Sequence, residues 1–178
     1  KQWVRQSGLA ADDRFWSVAV TPQGDAVAAG VTSKDNFGTI PGYKTLHGPA
    51  DGMVVKFSSA GVPQWSNQHG GDGGDVDYSV AVTRGGQIVV GGLTDGAWSG
   101  YANAGSVDVY VARLTPDGTT VTARQVGTAG EDGNDEFGIA IALSGSTRVV
   151  MTTSTAGRIW GHEPGGGYDA FVAVLPTP

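Results

Sequence analysis

The sequence predicts an all-β chain of short antiparallel strands, laid down as three copies of one unit. Three observations lead there. The stretch from Gly70 to Thr94, GGDGGDVDYSVAVTRGGQIVVGGLT, reads as an acidic glycine-rich loop, a strand, a tight turn and a second strand. An imperfect copy precedes it and a looser one follows, and such a period dictates architecture before any local reading does. Thirty glycines and eight prolines, with no long helical periodicity, favour short strands joined by turns.

The copies align as follows. The first has Trp3, Gln6 and Gly8, then WSVAVTPQGDAVAAGVT from Trp16 to Thr32. The second has Trp65, Gln68 and Gly70, then YSVAVTRGGQIVVGGLT from Tyr78 to Thr94, at one constant offset from the first. The third has Gln125 and Gly127, then FGIAIALSGSTRVVMTTST from Phe137 to Thr155. Each copy passes through a long loop into an Asp-led strand: DGMVVKF from Asp51, DVYVARL from Asp108, DAFVAVL from Asp169. The units, 7–68, 69–126 and 127–178, are about sixty residues each and fill one domain.

In chain order, WVRQ (Trp3 to Gln6) alternates and reads as a short strand. SVAVT (Ser17 to Thr21) follows, and PQG supplies its turn. DAVAAGVT (Asp25 to Thr32) is too small and apolar for a half-solvated strand, and its glycine marks close approach by another backbone. MVVKF (Met53 to Phe57) turns at SSAG into VPQWSNQ (Val62 to Gln68). The second unit repeats this with SVAVT, QIVVGGLT, DVYVARL, the turn TPDG, and TVTARQV. The third gives GIAIAL, TRVVMTTST and DAFVAVL, then stops without a fourth strand. Runs such as QIVVGG, apolar on both faces, fit sheets sandwiched between sheets. Four-stranded antiparallel blades stacked radially form a β-propeller, and a linear solenoid is the alternative.

Several classes are disfavoured. A net charge of −6 argues against nucleic acid or an anionic membrane as partner. No apolar run reaches membrane-spanning length, so membrane insertion is not expected. There is no cysteine, hence no disulfide or thiol chemistry. Asn36, Asn67, Asn103 and Asn134 all lack the Ser or Thr of a glycosylation sequon. Lys1 in the first position suggests a chain processed or excised from something longer.

HGGDGGDVDYSVAVT, QIVVGGLT, FGTIPGY (Phe37 to Tyr43) and the Asp-led strands ending at Phe57, Leu114 and Leu175 together resemble the bacterial β-propeller repeats of the SBBP type. The resemblance spans nearly the whole chain and implies the propeller fold without implying a ligand. The third unit departs from it at Arg148, at the TTST run and at Val174, which stands where a basic residue is usual. A propeller closes with about four to eight blades. Two readings are open: Trp3–Gln6 of one chain completes the last blade of another, closing six blades from two chains, or the chain is part of a longer propeller.

The strand order sends the long loops (33–50, 95–107, 156–168) and the acidic loops to one end, the place for a ligand. Asp12 and Asp13, then Asp72, Asp75 and Asp77, then Glu131, Asp132, Asn134 and Asp135 offer oxygens to Ca²⁺, with Asp72, Asp75, Asp77, Asp132, Asn134 and Asp135 as candidate ligands. Their spacing matches neither an EF-hand nor a nonapeptide calcium repeat, and the competing reading is that they cap turns. Asp51, Asp108 and Asp169 read as structural ties for loop amides. Among the loop aromatics, Trp98, Tyr101, Trp160 and Tyr168 are candidate ligand platforms for a glycan or protein; Phe37 and Tyr43 read as packing.

His47, His69 and His162 occupy different points of their units, so zinc is not expected from them, and His162–Glu163 lacks the second histidine of HExxH. There is no GxSxG, and GGDGGD precedes a strand, not the helix a phosphate loop needs. The expected function is therefore non-enzymatic: an extracellular or cell-surface propeller module for protein or glycan binding, or for assembly, with no resident cofactor unless Ca²⁺ binds. The alternatives are a structural subunit polymerising through its open edges and a glycan hydrolase or lyase using Asp72, Asp75 and Asp77.

Overall fold

The computed structural model describes residues 2–8, 11–33, 40–43, 45–133 and 138–178, with the backbone alone for Tyr43, Thr120 and Val121. Among these it is all β, with no helix, and its strands form three sheets. No helix long and apolar enough to cross a membrane occurs among the described residues. The first sheet holds β1 (Asp13–Val20), β2 (Ala26–Thr32), β4 (Asp51–Phe57) and β5 (Pro63–His69), antiparallel in chain order. The two-residue β3 (Gly42–Tyr43) adds a parallel bridge to Ser66 and Asn67 at its outer edge, a strand the alternation of the sequence does not signal. The second sheet holds β6 (Asp75–Val82), β7 (Ile88–Thr94), β8 (Asp108–Leu114) and β9 (Thr120–Val126). The third holds β10 (Ala140–Ser144), β11 (Arg148–Thr155) and β12 (Asp169–Pro176), leaving β12 an edge strand.

The repeat is visible down to single atoms. Both β1 and β6 carry a bulge, between Phe15 and Ser17 in one and between Asp77 and Ser79 in the other. The extra residues, Trp16 and Tyr78, stack on each other at 5.7 Å. Ser17 Oγ accepts from the Val80 amide at 3.2 Å, and Ser79 Oγ accepts from the Ile141 amide at 3.1 Å. The first strands of the three sheets thus touch in succession. Bulges shift a strand's register and raise its twist, so two at the same place give the neighbouring sheets a similar tilt.

The second sheet lies between the other two, which explains why QIVVGG is apolar on both faces. Val80, Ile88, Val90, Tyr110 and Leu114 pack with Val27, Ala29 and Val54 of the first sheet. Val89, Leu93, Val109 and Val111 pack with Val149, Met151 and Ala173 of the third. Every residue of β7 is buried. The far faces of the outer sheets are different. Val18 and Val20 are 67% and 66% exposed on the first, and Val172 and Val174 are 71% and 57% exposed on the third. Covering a valine stabilises by roughly 1.5–3 kcal/mol, so both end faces favour a neighbour.

Trp3 to Gln6 is not a strand in this structure. A strand needs a ladder partner, and the segment pairs with no strand among the described residues. The segment is nevertheless placed. Trp3 Nε1 donates to Ser59 O at 2.9 Å, and Arg5 Nε donates to Gly61 O at 2.7 Å, in the turn between β4 and β5. One repeat later, Trp65 on β5 donates to Pro116 O at 3.1 Å, in the turn between β8 and β9. A Cβ on Gly61 would meet Trp3 at 2.6 Å, and one on Gly118 would meet Trp65 at 2.7 Å. The segment therefore sits against the first sheet as β5 sits against the second.

Candidate functional site

The Asp-led strands and acidic loops share one device: a carboxylate accepts from the backbone amide four residues before it. Asp75 takes Gly71 at 2.8 Å, Asp51 takes His47 at 3.1 Å, Asp108 takes Ala104 at 3.0 Å and Asp169 takes Gly165 at 2.5 Å; Asp132 takes Thr128. Threonines at the ends of the second strands support the same loops. Thr32 donates to Asp13 at 2.7 Å, and Thr155 donates to Asp132. A carboxylate holding loop amides this way supplies the turn chemistry that glycine-rich loops lack.

The described candidate cation ligands do not converge. Asp72 accepts from the Ala97 amide at 2.7 Å and stays exposed. Asp75 is wholly buried and also accepts from Trp98 Nε1 at 2.7 Å. Asp77 is wholly buried and faces a different set of partners. Asn134 and Asp135 lie outside the described residues, as does Phe37. Among the described residues no group of three His, Asp or Glu gathers as a metal site would. Asp75 and Asp77, needed for a carboxylate pair that meets a glycan, have no surface open to one.

Those two carboxylates belong to a buried polar cluster between the first and second sheets. Tyr110 Oη donates to Asp77 Oδ1 at 2.7 Å. His69 Nε2 straddles the same carboxylate, 3.2 Å from Oδ1 and 3.1 Å from Oδ2, while its Nδ1 is 2.8 Å from Asn67 Oδ1. The Trp98 ring lies 4.8 Å from Tyr110 and 5.9 Å from His69. Burial pushes Asp75 up to about 6, against the bonds from Thr94, Gly71 and Trp98. Burial alone would lower His69, but Asp77, with Asp75 and Asp51 beyond it, raises it above the usual histidine value. Burial and the same carboxylates hold Tyr110 well above its ordinary range, so it stays a donor. The sequence gives no repeat signal for this cluster: His69 stands where Val126 does, and Asp77 where Phe15 does.

Trp98, a candidate ligand platform by sequence, is turned inward at 7% exposure and wedges the two sheets. Its indole is spent on Asp75, so it offers no open face to a sugar. Tyr101 is exposed and donates to Ala123 O at 3.1 Å, fastening its loop to β9. Trp160, with φ 44°, and Tyr168 are exposed on the third loop. Trp160 meets Phe171 edge-on at 6.0 Å.

Beside Trp160 lies a groove of about 500 Å³ lined by Thr155, Gly157, Asp169, Phe171 and Leu175. It runs along β12, an edge strand of the third sheet. In the second sheet that place is filled by β9, and Gln125 is its fastening. Gln125 Oε1 accepts from the Trp98 amide at 2.9 Å; its Nε2 donates to Gly96 O at 2.9 Å and to Asp108 Oδ2 at 2.8 Å. The third sheet repeats the frame of this seat. Thr155 Oγ1 bonds the amide and carbonyl of Gly157 at 3.0 and 3.2 Å, as Thr94 Oγ1 bonds those of Gly96 at 3.1 and 3.3 Å. Asp169 stands for Asp108, yet it is only half-buried, whereas Asp108 and Asp51 are buried.

No family model matches the chain, and no curated protein is significantly similar to it.

Proposed function

We propose that the chain is a non-enzymatic binding and assembly module of the β-propeller kind, working outside the cell or at its surface, whose ring is closed by a second chain. The observation that carries this reading is the stacking order. The middle sheet is covered on both faces, whereas the outer sheets keep valines open on their far faces: Val18 and Val20 on the first, beside Met53, Val55 and Phe57 packed under Trp3 and Ile40, and Val172 and Val174 on the third. The contacts between successive first strands, through Ser17 and Ser79, support a radial rather than a flat stack, because the inner edges meet. The resemblance of the loop and strand motifs to SBBP-type repeats supports the same architecture. Three blades in each of two chains give a six-bladed ring, within the range that closes.

The long-loop end, with Tyr101, Trp160 and Tyr168 exposed, is the surface offered to a protein or glycan partner. A subunit that polymerises through the same faces is the second reading, favoured by the exposed valines at both ends of one chain. Light scattering behind a sizing column tests both. A discrete mass of two chains is expected. A single-chain mass at every concentration overturns closure by a second chain, and masses that grow with concentration replace the ring with an open polymer.

A further inference from the structure

We infer that the groove along β12 is the seat for the N-terminal segment of a second copy of this chain, and that Gln6 of that copy is its fastening residue. The inference rests on the two-chain reading above and adds the residue pairing. Gln6, Gln68 and Gln125 occupy one position of the repeat. Gln125 shows what the position does: three hydrogen bonds into the loop and Asp of its own sheet. In the third sheet the corresponding acceptors, Gly157 O and the Asp169 carboxylate, line an open groove.

The segment that carries Gln6 lacks a sheet of its own. Trp3 and Arg5 already hold it against the turn at Ser59 to Gly61, in the position a fourth strand of a preceding sheet would take. Gln6 itself is exposed. The Trp3–Gln6 segment and the open edge of β12 are thus complements. The faces behind them are complements too, since Val172 is the counterpart of Val111, which the middle sheet buries against its neighbour.

The register follows from the existing ladders. Gln125 lies opposite Tyr110 in β8, and Gln68 lies opposite Met53 in β4. The residue of β12 in that place is Phe171, so the second copy's Gln6 pairs with Phe171. Trp65 lies opposite Lys56, and the corresponding residue of β12 is Val174, so the second copy's Trp3 pairs with Val174. Val174 replacing the usual basic residue leaves an apolar strip under that indole. A two-stranded ladder of this kind leaves no edge unpaired at the joint.

The test is hydrogen exchange on the whole chain above and below its association concentration, beside light scattering, with Gln6→Ala and Gln6→Glu variants. The expected result is a two-chain species in which the amides of Trp3 to Gln6 and the outward amides of β12 become protected. Gln6→Ala should weaken association about tenfold or more, since it removes up to three hydrogen bonds. Gln6→Glu should weaken it further, because it sets a carboxylate against Asp169. Gln6 is exposed in the single chain, so neither variant should change its unfolding midpoint. A two-chain species whose Trp3–Gln6 amides exchange freely, with both variants associating like wild type, overturns this seat and leaves ring closure standing. A single-chain mass throughout overturns both.

Discussion

Gln125→Met is the sharpest test of how a fourth strand is held. Methionine keeps the length and volume of glutamine but offers neither a carbonyl nor an amide. The Trp98 amide, in a residue 7% exposed, loses its partner, and an unpaired buried donor costs about 1–3 kcal/mol. Gly96 O keeps Thr94 Oγ1 at 3.3 Å, and Asp108 Oδ2 keeps the Ala104 amide at 3.0 Å, so each loses one of two partners. The lost charge-assisted bond to Asp108 adds about 1.5 kcal/mol or more. Together the substitution should destabilise by about 3 kcal/mol, a fall of about 1 M or more in the urea midpoint for a chain of this size. Gln125→Glu separates the hydrogen bonds from the charge. Its carboxylate still accepts from Trp98 but faces Asp108, so its loss should exceed that of methionine at pH 8 and shrink at pH 5 as one carboxyl takes a proton. A methionine variant that loses less than about 0.5 kcal/mol, or a glutamate variant with no pH dependence, would refute the account of the seat.

Two further outcomes are expected from the buried cluster. Tyr110→Phe keeps the ring against Trp98 and removes only the bond to Asp77, so it should cost about 1.5–3 kcal/mol in urea unfolding and move the His69 titration measured by NMR; an unmoved His69 would separate the two groups. Stability should rise as pH falls from about 8 to about 5. Asp75 has a folded pKa of about 6, above its ordinary 3.8, so its favourable contribution is full below the unfolded value and is lost as pH rises through the folded one. His69, also raised, acts in the same direction at and above the ordinary histidine range. A stability maximum on the alkaline side would contradict both, and Asp75→Asn should flatten the acid part of the profile.

The all-β class, the three-unit repeat and most strands were legible in the sequence because each is written by a local pattern. The glycine turns after Thr21 and Thr83 and the two-faced apolar run of β7 need no tertiary information. The structural reading of Asp51, Asp108 and Asp169 likewise follows from a carboxylate placed after a loop with amides to satisfy. What was not legible depended on neighbours. Trp98 and Trp160 look alike in sequence, each in a long loop of the same unit position. Yet Trp98 lies under a completed sheet, where β9 supplies Gln125, and Trp160 lies beside an edge with no such strand. Trp3 to Gln6 carries strand alternation but no partner, and alternation without a ladder does not make a strand.

The same contrast explains why the third unit diverges most. Val109 and Leu93 of the second sheet face the third and are buried there; their counterparts, Ala170 and Ser154, are smaller or polar and lie on the open face. A face meeting a sheet of its own chain is covered as soon as the chain folds. The face that no sheet covers keeps the exposed Thr152 beside Val172 and Val174, which lowers the penalty of leaving it in water. Arg148, which begins β11 opposite Pro176, sits exposed at the rim of that face, where its charge stays hydrated.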